Sequence, residues 1–89
     1  MDKFFTYILF SSSLKQFYTG HSEDAEKRLI RHNAGKVVAT KKGIPWILIT
    51  KFESDSRSEA ASLELKIKKR GASRFLQDIG FAFKEDIGV

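Results

Sequence analysis

Tyr7, Tyr18, Arg28, His32 and Glu64 follow one another along an 89-residue chain in an order that suits attack on a phosphodiester. Each type has a part in that chemistry. A phenol can position or deprotonate water, a guanidinium can neutralise phosphate, an imidazole can hold the proton, and a carboxylate can bind one divalent cation. The tyrosines lie in two aromatic clusters eleven residues apart, Phe5-Thr6-Tyr7 and Tyr18-Thr19-Gly20. No single member of the set is diagnostic; the order and the spacing carry the inference.

The elements that must position these groups are legible in the pattern. Phe4 to Phe10 is apolar on both alternating faces, which predicts a central strand covered on two sides. Ser11 to Gln16 reads as a turn and Phe17 to Gly20 as a second strand pairing with the first. Ser22 is the candidate N-cap of a helix from Glu23 to Asn33, with Glu23 and Asp24 in its first turn and Gly35 past its end. Residues 34–45, with Lys36, Lys41 and Lys42, have no clear period and are expected to form a basic loop. Trp46 to Phe52 is a third strand. Ser56-Arg57-Ser58-Glu59 is a capping box that opens a second helix running to Arg70 and stopped by Gly71. Ser73 to Gln77 suggests a short third helix, and Phe81 to Phe83 a segment that packs back on the body, with fraying toward the C-terminus.

Successive helical residues rotate by about 100°, so Arg28 and His32 share a face with Ala25. The bland alternatives are a solvated Arg28 pairing with Asp24, and a His32 favoured by the helix C-terminus. Glu64 falls inside the apolar arc of Ala60, Ala61, Leu63 and Ile67. A carboxylate aimed at packed surface is costly unless paired or bound to a cation, and the pairing alternatives are Arg28 and Lys68. Tyr7 and Tyr18 are also good core residues. Because a phenol with a pKa near 10 is ionised in only about one molecule in a thousand at neutral pH, a base role needs nearby cations or a proton acceptor.

These residues resemble the GIY-YIG endonuclease superfamily, in particular its small stand-alone bacterial members. The likeness runs from Phe5-Thr6-Tyr7 and Tyr18-Thr19-Gly20 through the segment Gly20 to Leu29, His32-Asn33-Ala34-Gly35-Lys36 and Pro45-Trp46 to the segment Arg57 to Glu64. It covers roughly residues 4 to 70. Phe5-Thr6 stands where the first motif has Gly-Ile, and the asparagine that some larger members carry after the carboxylate helix has no match, since Asn33 is the only Asn. The resemblance implies a small, mainly antiparallel three-stranded sheet flanked by helices, an α/β fold. It implies metal-dependent hydrolysis of DNA by an activated water, in repair or recombination, with Tyr7, Tyr18, Arg28, His32 and Glu64 as catalytic residues. Glu64 would hold one Mg²⁺ or Mn²⁺. Gly20, His21, Lys36, Lys41 and Lys42 would meet the nucleic acid, and His21 stands where some relatives have a lysine. Which tyrosine acts as base stays open. The rival readings are a nucleic-acid-binding module that cleaves poorly, and a subunit that needs a targeting protein partner.

The composition agrees with such a reading without proving it. Eighty-nine residues, 42% hydrophobic and 30% charged, suit one domain spanning 1–89 with a small core. A formal charge of +5 and a pI near 9.6 favour an acidic partner such as nucleic acid. The absence of cysteine excludes disulfides, thiolate metal sites and thiol nucleophiles. No apolar run approaches the roughly 20 residues of a membrane span, and the N-terminal apolar stretch, short, interrupted by Thr6 and Tyr7 and without a small-x-small cleavage site, is expected to be a strand rather than a signal peptide. A cytoplasmic monomer with no membrane association is therefore expected.

Overall fold

The computed structural model describes residues 3–82. The expectations for Phe83 and for fraying beyond it lie outside the described residues. At the centre is β1 (Phe4–Ser11), buried without a break from Thr6 to Ser11. A strand with no polar face for solvent needs cover on both sides and a neighbour at each edge. β2 (Gln16–Ser22) and β3 (Trp46–Ser54) supply the edges in the order β2-β1-β3, both antiparallel to β1. The β1–β2 connection turns at Lys15, which takes φ 56°.

The register decides which side chains share a face. Tyr7 pairs with Gly20 and Leu9 with Tyr18, whereas Thr6 pairs with His21 and Ile8 with Thr19. Since strand side chains alternate, the first set points to one side of the sheet and the second to the other. α1 (Ala25–Asn33) covers the first side, where Tyr7, Leu9, Ala25 and Trp46 pack with Tyr18, Leu29 and Leu48. α2 (Arg57–Arg70) and α3 (Ala72–Asp78) cover the second, where Ile8, Ile67 and Leu76 pack with Phe17, Phe52, Leu63, Phe75 and Phe81. The expected antiparallel three-stranded sheet with flanking helices is the fold observed.

Three local expectations are corrected. The N-cap of α1 is Asp24, not Ser22: its carboxylate accepts the Lys27 amide at 3.0 Å, while Ser22 closes β2 and its hydroxyl accepts the Asp24 amide. The helix therefore starts two residues later, because the side chain that reaches the third helical amide wins the cap. At α2, Ser56 caps the Glu59 amide as expected, but the Glu59 carboxylate returns to the amide of Asp55 rather than to that of Ser56. Gly71 ends α2 at φ 91°, a conformation that penalises side chains, and α3 follows at once.

The third correction concerns the supposed basic loop. Val38–Gly43 is a 3₁₀ helix, with Thr40 and Gly43 buried and Lys41 and Lys42 on its exposed side. It is held by Trp46. The indole N–H donates to the Thr40 carbonyl at 2.7 Å, and the indole ring lies against Gly43 where a Cβ would stand. The Asn33 side chain clamps the Trp46 backbone from α1, accepting from its amide at 2.6 Å and donating to its carbonyl at 2.9 Å. Asn33 thus ties the end of α1 to the start of β3. Gly43→Ala would overpack this junction and should lower the unfolding free energy by about 1–3 kcal/mol. Urea unfolding checks it, and an unchanged midpoint would contradict the packing described.

Candidate functional site

Tyr7 and His32 meet in the interior between β1 and α1, each only 1% exposed. The Tyr7 hydroxyl lies 3.1 Å from His32 Nε2, and His32 Nδ1 lies 2.7 Å from the Thr40 hydroxyl. The Thr40 hydroxyl in turn donates to the Val37 carbonyl at 3.3 Å. A carbonyl only accepts, so it fixes Thr40 as the donor to Val37 and, for a neutral imidazole, the direction of the other two bonds. With its proton committed to Val37, Thr40 accepts from Nδ1–H, and Nε2 is left as the lone pair facing the phenol. Tyr7 O–H therefore donates to a neutral imidazole.

The surroundings favour that neutral state. Burial pushes the His32 pKa down from its ordinary value, and the positive charges of Arg28 and Arg31 push it further. Burial raises the Tyr7 phenol to about 12, with Tyr18 and Glu64 adding to the rise and Arg28 working against it. The pair at rest is a protonated phenol beside an unprotonated imidazole, a proton donor and the acceptor made for it. Gly20 makes room for this contact: a Cβ there would stand 2.6 Å from the Tyr7 hydroxyl and 3.2 Å from the Tyr18 ring. The Tyr18 ring packs at a tilt 5.0 Å from that of His32 and edge-on 6.3 Å from that of Trp46.

Arg28 is exposed on α1, one turn before His32, and acts on both Tyr7 and His32 through its charge. Its guanidinium lines an open cleft with Lys27, Arg31, Arg57 and the acidic start of α1. The alternative pairing with Asp24 is not formed; the Asp24 carboxylate caps the helix.

Glu64 approaches from the second side of the sheet. His21 shares the face of Thr6, so it points toward α2, and its Nδ1 meets Glu64 Oε1 at 2.6 Å. A carboxylate accepts only, so His21 Nδ1 carries the proton in that bond. Lys68, one turn on, reaches Glu64 Oε2 at 2.6 Å and lies over the Tyr18 ring at 5.7 Å from its centre. Burial opposes ionisation of Glu64, but the hydrogen bonds from Lys68 and His21 outweigh it and hold the carboxyl below its ordinary value. Of the two pairings expected for Glu64, Lys68 rather than Arg28 is the one formed. Two half-sites thus face opposite sides of the sheet and meet around the β2 edge at Tyr18, over whose ring Lys68 lies.

The structure brings Tyr7, Tyr18, Gly20, His32 and Arg28 together on one side, and His21 and Glu64 on the other. It does not join Lys36, Lys41 or Lys42 to either: among the described residues they make no ion pair or hydrogen bond with site side chains. One contributor escaped the sequence. Thr40 sits in a segment without period, and only its hydroxyl eight residues after His32 hints at a partner. Lys68, the fourth residue after Glu64, is the helix partner that the sequence offers.

The chain matches the family model described as the GIY-YIG catalytic domain over residues 3–77. It is 39% identical over 71 residues to the UPF0213 protein YsiG of Lactococcus lactis subsp. lactis strain IL1403, covering 79% of this chain and 67% of that one. It is 40% identical over 79 residues to a UPF0213 protein of Syntrophus aciditrophicus strain SB, covering 86% and 90%. In three dimensions it is similar to the solution NMR structure of the UPF0213 protein BH0048 from Bacillus halodurans, with a TM-score of 0.52, 25% identity and coverage of 88% and 83%.

His32 gives the site a measurable signature. Its folded pKa is depressed, so the unfolded chain takes up a proton that the folded chain resists. The stability contributed by the neutral imidazole is present above about pH 6.5 and lost as pH falls below it. Urea unfolding should give a lower free energy at about pH 5.5 than at about pH 7.5, and His32→Gln should shrink that difference. An equal difference in the two proteins would contradict the buried neutral state.

Proposed function

The chain belongs to the GIY-YIG catalytic-domain family, and from that premise we propose that it is an endonuclease that hydrolyses DNA phosphodiester bonds with an activated water and a divalent cation. The observation that carries the reading is the bond from the Tyr7 phenol to the neutral imidazole of His32. A phenol held near 12 is a poor base by itself. With an acceptor in place, its oxygen can take a proton from water while its own proton passes to His32 Nε2. The water oxygen then bonds to phosphorus, and the bond from phosphorus to the 3′ oxygen breaks, with no covalent enzyme intermediate.

Arg28 supplies two effects. It stabilises negative charge growing on the phosphate oxygens. Before the substrate arrives, its charge also holds the imidazole pKa down. A bound phosphate offsets that charge, so the imidazole gains basicity when it must accept the proton. Tyr18 keeps the imidazole in place through its ring.

Glu64 is the residue that would hold Mg²⁺ or Mn²⁺. Its donor chemistry fits: an ionised carboxylate, 17% exposed, whose Oε2 already binds an exposed cationic group in Lys68. Among the described residues no cluster of three or more His, Asp or Glu side chains could hold a metal ion, so a cation on Glu64 would keep several waters and share phosphate oxygens. When bound, such a cation polarises the phosphate and eases departure of the 3′ oxygen. A nucleic-acid-binding module without turnover is the second reading. It is favoured by the same closed arrangement, in which both Glu64 oxygens are taken by His21 and Lys68.

Labelled single-stranded, duplex and branched DNA, incubated with Mg²⁺, Mn²⁺ or EDTA, separates the two. The nuclease reading expects metal-dependent products, a loss of about 100-fold or more in rate for Tyr7→Phe, and abolished cleavage with retained binding for Glu64→Ala. Salt-sensitive binding with no cleavage under any condition would establish the second reading instead.

A further inference from the structure

Some surface cations find carboxylates: Lys51 pairs with Glu26, Lys3 with Asp55, and Arg70 with Asp78. The cleft beside Arg28 gathers four that do not. Lys27, Arg28 and Arg31 of α1 and Arg57 of α2 line it, and among the described residues none of the four forms an ion pair. Two carboxylates, Glu23 and Asp24, line the same cleft, and one oxygen of Asp24 accepts the Lys27 amide at the helix cap. Four cations against two carboxylates leave a formal surplus of two positive charges. Like charges gathered on one wall repel, and an anion bound among them relieves the repulsion.

The arrangement also keeps donors free. Arg57 lies over the Phe4 ring, 4.8 Å from its centre, a stacking contact that orients the guanidinium without using its N–H groups. Arg28 and Arg31, three apart, share one face of α1. The cleft holds about 270 Å³. That is less than the ~300–1,000 Å³ of sites that enclose a whole small ligand. It is open, and so suits one charged group of a chain passing over it. Its position links it to the site: Ser22, on its wall, lies two residues beyond Gly20 along β2, and Arg28 belongs to both places.

We infer that this cleft is a second phosphate subsite, where Arg31 and Arg57 with Lys27 grip the phosphodiester next to the one held at Tyr7 and Arg28, and so fix the path of the nucleic-acid strand. The inference rests on the nucleic-acid reading above, and it moves the main backbone contact from Lys36, Lys41 and Lys42 to the two arginines of the cleft. Guanidinium pairs are the better grip, because each presents a planar fork to phosphate oxygens.

Binding of labelled single-stranded and duplex oligonucleotides across a salt series tests this without requiring turnover. Removing this one phosphate contact should make the slope of log affinity against log salt shallower by about 0.7 for single strands and about 0.9 for duplex. Arg31→Gln with Arg57→Gln should show that change, and Arg31→Lys with Arg57→Lys, which keeps the charge, should retain most of the slope. The charge-matched pair Lys15→Gln with Arg74→Gln, on the hairpin turn and α3, should leave the slope nearly unchanged. A slope equal to wild type in the cleft variant, with both variants folded by circular dichroism, would overturn the inference. So would saturable binding of inorganic phosphate or a mononucleotide that the cleft variant loses while its oligonucleotide slope stays intact, since that outcome assigns the cleft to a free anion. If wild type never cleaves but the cleft slope changes as expected, the nuclease reading fails and the subsite stands. If wild type cleaves and the slope does not change, the subsite fails alone.

Discussion

Everything at the site depends on one buried chain of hydrogen bonds, from Tyr7 through His32 and Thr40 to the Val37 carbonyl. Three polar side chains in an interior this small would each cost a few kcal/mol if left unpaired. Here each finds its partner, and no described side-chain donor or acceptor is buried without one. The terminal carbonyl sets the polarity of the chain, and that polarity makes the imidazole an acceptor toward the phenol. Structure and chemistry share the same bonds, so the group that would accept a proton in catalysis is also the group that satisfies the core.

The fold supplies each member from a different element, which is why the chain needs its particular topology. β1 brings Tyr7 from the middle of the sheet, α1 brings His32 across one face, and the 3₁₀ helix brings Thr40 under it. Trp46 and Asn33 lock the last two together at the head of β3. Glu64 and His21 belong to the opposite face, and the two halves approach at the edge strand, where Lys68 lies over the Tyr18 ring. β2 is that strand, and Gly20 is the residue at which a side chain would collide with the Tyr7 hydroxyl. The second sequence motif is thus steric as much as chemical.

Much of this was legible in the residues. The doubly apolar run from Phe4 to Phe10 marked the central strand, and the capping box at Ser56 with Gly71 bounded α2 closely. The arc of Ala60, Leu63 and Ile67 placed Glu64 at a packed edge, where the structure finds it paired. What was not legible follows from tertiary contacts. A six-residue 3₁₀ helix is too short to show a period, and its cause lies in Trp46 and Gly43 rather than in its own sequence. Local signals also could not choose between Ser22 and Asp24 as cap, because both are good caps and only the end of β2 decides. Thr40 as a partner of His32 needed the packing of α1 on that segment.

The most direct measurement is the ¹⁵N chemical shifts of the His32 ring at neutral pH, assigned by comparison with a His32→Gln variant. The hydrogen-bond chain predicts a neutral ring with its proton on Nδ1 and an unprotonated Nε2 facing the phenol. A proton on Nε2, or an imidazolium at neutral pH, would contradict it, since Tyr7 would then have no acceptor for its proton.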